Sequence, residues 1–269
     1  MGQLQAIHTG SNGLPRHEIE RLLVAVTGRS RSDLLREVEL SEAEAATFKA
    51  FVLRRLAHEP LQYIEGSVPF GTVEIDVDPR VLVPRPETEY LLELVSERAE
   101  APEVIVDLCT GSGNLALALK AAFPHADVYA TDLSPEATAV ARSNALKNGL
   151  SISVLNGNLF DPLPQALRGK VDVLVANPPY LAESELADLP PDVQNEPEMA
   201  LVSGPSGDEL VCEIAEGLGT WVRPGGIIGI EVSEYHATAV VELFSEISGQ
   251  VVKDLSGRDR FVLGRSPVE

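Results

Sequence analysis

Val104-Ile105-Val106-Asp107-Leu108-Cys109-Thr110-Gly111-Ser112-Gly113-Asn114 is the stretch that decides the fold. Four of its first five residues are apolar, and a short apolar run ending in a glycine-rich turn reads as a buried strand. Residues 113–122 then take helical spacing. Glycines in such a turn let the backbone bend sharply and let a ligand approach the main chain, while the first turn of the helix leaves N–H groups without intrahelical partners. Taken alone, the same turn also fits a tight strand-to-helix connection with no ligand.

Working outward, strands are expected at Val104–Leu108, Val128–Thr131, Ile152–Leu155, Val171–Ala176 and Ile227–Val232, with helical stretches near 113–122, 135–148, 207–218 and 236–247. Alternation of this kind predicts an α/β domain with a mostly parallel sheet covered by helices on both faces. Val251, Val252 and Leu255, the turn Ser256-Gly257, and Phe261 to Leu263 predict a closing antiparallel hairpin. Upstream, Pro15 to about His58 reads as helices, and Ser41 with Glu44 forms a capping-box start for the last of them. Tyr63, Ile64, Val73, Ile75, Val77, Val81 and Val83, punctuated by Gly66, Gly71 and Pro79, predict a short β-ribbon, and a helix follows from about Glu87 to Ala99. The expected division is a helical domain over 1–60, a ribbon linker over 61–85 and the α/β domain over 86–269.

Composition narrows the function classes. The chain has 269 residues, with 21 Lys and Arg against 41 Asp and Glu, a formal net charge of −20. That balance makes direct nucleic-acid binding an unfavourable expectation, because phosphate contacts depend on cationic side chains. No apolar run reaches the roughly 18 residues needed to span a bilayer, and the first residues carry neither a basic-then-hydrophobic leader nor the Ser or Thr that myristoylation would need at Ala6. A cytoplasmic protein without membrane association is expected. Two cysteines and five scattered histidines give no disulfide framework and no metal site.

Nineteen residues after Gly113, at the end of the second strand, Asp132 stands where an acidic side chain accepts hydrogen bonds from ribose hydroxyls. The competing role is N-cap of the helix starting at Ser134 or Pro135. The order C-T-G-S-G lacks the third glycine of the pyrophosphate-binding pattern, so adenosine without a pyrophosphate fits better. S-adenosylmethionine is therefore expected rather than NAD, with Asp107 placed to receive an ammonium group.

The sharpest signal is Asn177-Pro178-Pro179-Tyr180, directly after the apolar strand 171–176 and so at the C-terminal edge of the sheet, where ligands sit. At about 5 % usage per residue type this tetrapeptide arises by chance in such a chain roughly two times in a thousand, which separates it from an ordinary Pro-Pro loop. An amide or aryl amine nitrogen is a weak nucleophile because its lone pair is delocalised. The Asn177 carbonyl and the Pro178 backbone carbonyl can accept both of its N–H hydrogens, and Tyr180 can stack on its planar group. Alignment for in-line displacement at a methyl sulfonium is then the main contribution required of the protein.

These residues resemble the S-adenosylmethionine-dependent methyltransferases of planar nitrogens. Pro60 to Ile64, Val81 to Glu89, Asn195-Glu196-Pro197, Ala200-Leu201, Gly204 to Leu210, Arg223 to Gly226 and Asp254 to Arg260 sharpen the resemblance to the HemK/PrmC family of peptide chain release factor glutamine methyltransferases. The resemblance implies a Rossmann-like class I domain with a seven-stranded sheet. It also implies N5-methylation of the glutamine in the Gly-Gly-Gln loop of class 1 release factors, with S-adenosylhomocysteine as product, and a helical N-terminal domain that holds the factor. Carried over by position, Asp107, Leu108, Cys109, Thr110, Gly111, Gly113, Asp132, Asn158, Leu159 and Asn177 would contact the cofactor. Asn177, Pro178, Pro179 and Tyr180 would hold the glutamine amide, and Arg85, Pro86, Glu87 and Thr88 would line the substrate side of the pocket. The sequence departs from the family at Cys109, which replaces the first glycine of the loop, at Asn158, which replaces an aspartate near the adenine, and at Glu231-Val232-Ser233-Glu234. The rival readings are methylation of a ribosomal-protein glutamine, methylation of adenine N6 in nucleic acid, and a non-enzymatic cofactor-binding protein.

Overall fold

The computed structural model describes residues 13–35, 39–235, 237–244 and 248–268. The expectations placed on the first twelve residues, and the ends of the helix expected at 236–247, fall outside the described residues in whole or in part. The chain forms two compact units. The first takes the chain up to Ser67 together with Pro190–Asn195, and the second takes Val68–Leu189 and Glu196 onward.

Among the described residues the first unit carries three α-helices, α1 (Arg16–Thr27), α2 (Glu42–Leu56) and α3 (Leu61–Glu65). Helix α1 stops at Gly28, whose φ of 65° is the left-handed conformation that glycine adopts without strain. Helix α2 starts on the expected capping box, in which Ser41 Oγ accepts from Glu44 N and the Glu44 carboxylate accepts from Ser41 N at 2.7 Å. Ile19, Leu22 and Leu23 of α1 meet Phe48 and Val52 of α2 and Leu61 and Ile64 of α3 in one core. Arg55 grips Glu18 across the helices at 2.8 and 2.9 Å and also lies 3.5 Å from Asp192. Asn195 Nδ2 donates to the His58 carbonyl at 3.0 Å, so the segment 190–195 is tied in by polar contacts.

The expected ribbon over 61–85 needs correction at both ends. Tyr63 and Ile64 belong to α3 and not to a strand: Pro60 stands ahead of its first turn, Gly66 ends it in the left-handed region, and the spacing of Leu61 and Ile64 is helical. The strands of the ribbon are β1 (Ser67–Phe70) and β2 (Val73–Asp76) only. Val81 and Val83 are buried, but Val83 N donates to the Glu196 carboxylate at 2.9 Å, so a side chain takes the place of a strand partner.

In the second unit, α4 (Pro86–Ser96) opens with proline at its first position, where a missing N–H removes nothing. There follow β3 (Val104–Leu108), α5 (Asn114–Ala122), β4 (Asp127–Asp132), α6 (Pro135–Lys147), β5 (Ser153–Asn156), β6 (Val171–Ala176), β7 (Leu181–Ala182), β8 (Val202–Gly204), α7 (Glu209–Trp221), β9 (Val222–Glu231), α8 (Ala237–Leu243), β10 (Gln250–Lys253) and β11 (Asp259–Arg265). The main sheet has seven strands in the order β10-β11-β9-β6-β3-β4-β5. Five run parallel, and β11 pairs antiparallel with both β9 and β10, which is the expected closing hairpin. Strand β9 starts five residues earlier than expected, and the small parallel pair β7–β8 had no signal in the alternation.

The topology fixes where a ligand can bind. From β3 the chain moves to β4 and β5 on one side, then returns to β6 on the other, so the strand order reverses between β3 and β6. Leu108 lies level with Thr131 of β4 and with Ala176 of β6. The loops leaving these three strands therefore emerge side by side over the reversal.

Candidate active site

A cavity of about 360 Å³ lies over those loops, walled by Asp107, Cys109, Thr110, Gly111, Asp132, Asn158, Leu159, Asn177 and Pro179, with Arg85 and Thr88 on its other side. Leu133 and Met199 also line it and are both more than half exposed.

Asp107 ends β3 with 1 % of its surface exposed. Its Oδ2 accepts from Thr110 Oγ1 at 2.6 Å and from Ala116 N at 3.1 Å, while its Oδ1 has no partner among the described residues. Burial pushes the carboxyl up to about 7 against those two hydrogen bonds, which favour the ionised form. An acceptor left unpaired in a buried wall is costly unless a ligand supplies a donor, and a cationic ammonium also restores the ionised form. The group expected here, an amino-acid-bearing adenosine, fits that wall.

Asp132 holds the glycine loop itself. Its Oδ2 accepts from Gly111 N at 2.8 Å and its Oδ1 from Ser134 N at 2.9 Å, and each oxygen keeps a lone pair for a ribose hydroxyl. The N-cap of α6 is Ser134, whose Oγ accepts from Ala137 N at 3.1 Å, so the competing role considered for Asp132 belongs to its neighbour. Gly111 lies at φ 54° and Gly113 at φ 84°, and a Cβ on Gly113 would stand 3.1 Å from Ala141 Cβ, so this glycine serves the packing of α5 on α6 and does not line the cavity. Leu108 is likewise absent from the wall, its side chain buried in the sheet core.

Two non-glycine residues hold left-handed backbone at the cavity, Cys109 at φ 56° and Leu159 at φ 40°. The first is a conformation that glycine adopts without strain and a side chain does not. Burial, with Asp132 and Asp107 nearby, pushes the Cys109 thiol far up, so it stays protonated and unreactive. Asn158 Nδ2 donates to Glu213 at 3.2 Å, which leaves its carbonyl as the acceptor.

Asn177, which also lines the cavity, donates its Nδ2 to Thr88 Oγ1 at 3.0 Å. Thr88 Oγ1 donates in turn to Glu231 Oε2 at 2.7 Å, and Tyr180 O–H reaches Glu231 Oε1 at 3.4 Å. Burial pushes Glu231 up to about 7, opposed by the Thr88 bond and by the nearby Arg260. Asn177 and Pro179 face the cavity. Pro178 and Tyr180 instead line a much smaller space behind it with Glu231, and the Arg260 guanidinium lies 5.6 Å from the Tyr180 ring centroid. Arg85 lines the cavity and pairs with Glu196 at 2.5 Å, whereas Glu87 does not line it and pairs with Arg258 at 2.7 Å. Among the described residues no group of three or more His, Cys, Asp or Glu could hold a metal ion.

Comparison with known proteins places this geometry. Residues 86–190 match the model of the methyltransferase small domain, and residues 5–66 match that of the PrmC N-terminal domain. A release factor glutamine methyltransferase of Moorella thermoacetica is 41 % identical over 260 residues, covering 93 % of this chain and 90 % of the relative. The chain belongs to the release factor glutamine methyltransferase family. A second member, from Deinococcus radiodurans, is 40 % identical over 263 residues, covering 94 % of this chain and 92 % of its own. The crystal structure of a methyltransferase from Pyrococcus furiosus superposes with a TM-score of 0.56 at 20 % identity, covering 82 % of this chain and 98 % of that one, which shows the shared fold.

Sequence reasoning missed three residues of this site. Glu231 was noted only as a departure from the family, although an acid closing the apolar run Ile227–Ile230 was the available signal. Glu196, buried while holding both Val83 N and Arg85, and Arg260, buried beside Tyr180, stood in stretches that carry the family resemblance, but nothing local in the sequence pointed to these contacts.

Proposed function

We propose that this protein transfers the methyl group of S-adenosylmethionine to the side-chain amide nitrogen of the glutamine in the Gly-Gly-Gln loop of class 1 release factors. The observation that carries the reading is that one cavity is lined both by Asp107, whose Oδ1 has no partner among the described residues, and by Asn177, whose NH2 is given to Thr88 so that its carbonyl is left to accept. When bound, S-adenosylmethionine supplies an electrophilic methyl on a sulfonium. Asp107 pairs with its ammonium, Asp132 accepts from its ribose hydroxyls, and the Asn158 carbonyl accepts from its adenine amine. Asn177 Oδ1 and the Pro178 carbonyl accept the two amide hydrogens of the glutamine and turn its lone pair toward the methyl. The N–C bond forms as the S–C bond breaks, and the alkylated nitrogen gives its extra proton to solvent.

The helical unit, matched by the PrmC N-terminal domain, serves to hold the factor, and Arg85, Pro179 and Tyr180 shape the acceptor end. A chain of net charge −20 suits a protein partner with basic, RNA-binding patches. Among the described residues no helix is long and apolar enough to cross a membrane. The test is transfer of labelled methyl to purified release factor beside a variant with the loop glutamine replaced by alanine and a duplex DNA control. Label that disappears in the variant supports both reaction and acceptor, and label on DNA alone overturns the protein-substrate reading.

A further inference from the structure

An asparagine amide has two faces of nearly the same shape and opposite chemistry: a carbonyl that accepts and an NH2 that donates. Holding a glutamine NH2 requires the carbonyl toward the cavity. Turned the other way, donor would meet donor, and the weak nucleophile would be pushed off line. Pro178 needs no such control, since its carbonyl is fixed by the backbone and it has no N–H. Something must therefore set the Asn177 amide.

A hydroxyl neighbour alone does not set it. Thr88 Oγ1 can accept from the Asn177 NH2 or donate to the Asn177 carbonyl, and both arrangements fit a 3.0 Å contact. The choice is made one step further on. Glu231 Oε2 lies 2.7 Å from Thr88 Oγ1, and above about pH 7, the value to which burial pushes Glu231, its ionised carboxylate only accepts, so there the Thr88 proton is committed to Glu231. Thr88 then has only lone pairs to offer Asn177, which must answer with its NH2. Thr88 and Glu231 are each 1 % exposed, so their bond to one another is shielded from bulk solvent. The second oxygen of Glu231 receives the Tyr180 hydroxyl at 3.4 Å, which holds the carboxylate in place from the following residue pair of the same loop.

We propose that Glu231, acting through Thr88, is a positioning residue that fixes the Asn177 amide with its carbonyl toward the acceptor nitrogen. This rests on the methyl-transfer reading above, and it adds Glu231, which does not line the cavity and acts through Thr88, which does. A glutamine at 231 keeps the shape but brings its own NH2, which can donate to Thr88, release the Thr88 proton toward Asn177 and reverse the amide.

The experiment uses the full chain with Glu231→Gln, Thr88→Val and Thr88→Ser, and Asn177→Ala as the benchmark. Steady-state transfer to release factor is measured together with S-adenosylmethionine affinity by calorimetry, thermal midpoint, and the side-chain amide resonances of Asn177 in 15N-labelled protein. The expected result is a fall in kcat of about 10- to 100-fold for Glu231→Gln and Thr88→Val, cofactor affinity within about twofold, and recovery to within about threefold in Thr88→Ser, which restores the hydroxyl. The Asn177 amide protons should shift and exchange faster in the first two variants and return in the third. Retention of kcat within twofold by Glu231→Gln, or Asn177 resonances unmoved in both variants, overturns the relay even while Asn177→Ala abolishes transfer. A wild-type protein that leaves the factor unmethylated overturns the parent reading instead, and the resonances then decide the relay by themselves.

Discussion

The loops that leave β3 and β6 sit on neighbouring strands and wall the same cavity, yet they are held by opposite means. The loop after β3 is held by carboxylates close to it in sequence: Thr110 Oγ1 returns to Asp107 three residues back, Ala116 N reaches the same carboxylate, and Gly111 N donates to Asp132 at the end of the next strand. The loop after β6 has two prolines and few local bonds, and its working amide is held by Thr88, 89 residues away, and through it by Glu231, 143 residues from Thr88. A cradle for a ligand that every turnover repeats can be written into one short segment. A clamp that must present one face of a reversible amide draws on two other elements, α4 and the end of β9.

The comparison breaks most visibly at Asn177. Asn177→Ala should lower transfer to release factor by about 10²- to 10³-fold while cofactor affinity stays within a few-fold, measured by labelled transfer and calorimetry. The β3 loop should show the reverse signature. Asp107→Asn removes a charge-assisted hydrogen bond and should weaken S-adenosylmethionine binding by about 10- to 100-fold. Its pH dependence sharpens the point. With burial holding the free Asp107 carboxyl at about 7, the carboxylate that pairs with an ammonium is lost as pH falls. Wild-type affinity should therefore drop below about pH 7 and level off above it, and Asp107→Asn should flatten that slope.

Smaller effects test the backbone claim. Gly113→Ala forces a side chain into left-handed backbone and against Ala141, and should destabilise the protein by about 2–4 kcal/mol in urea unfolding. Cys109→Gly relieves a left-handed residue at φ 56°, and should stabilise by up to about 1 kcal/mol, a rise of a few degrees in thermal midpoint.

How much of this could be read in advance follows from the same contrast. That Asp107, Thr110 and Gly111 share one cavity wall was legible because their contacts are local, and that Asp132 joins them because parallel pairing brings the end of the next strand beside the loop. Asn177 was legible from its motif, but the direction of its amide was not, since that depends on strand order placing β9 beside β6. Tyr63 and Ile64 were misread for a related reason: β-prone residue types in a five-residue segment carry less weight than the Pro60 and Gly66 that bound it as a helical turn. Glu87 and Tyr180 were read as pocket residues from their neighbours in sequence, whereas Glu87 turns to Arg258 and Tyr180 backs the Asn177 clamp.

The helical unit's inclusion of Pro190–Asn195 has a consequence in time. Its apolar core, from Ile19 to Ile64, is present once the first quarter of the chain has been made, but Asp192 and Asn195 are translated about 125 residues after Ser67. At about 5–20 residues per second, that is a delay of roughly 6 to 25 seconds on the ribosome. The first module to be synthesised collapses early and is fastened late, by a clasp that the ribosome delivers only after most of the sheet's strands.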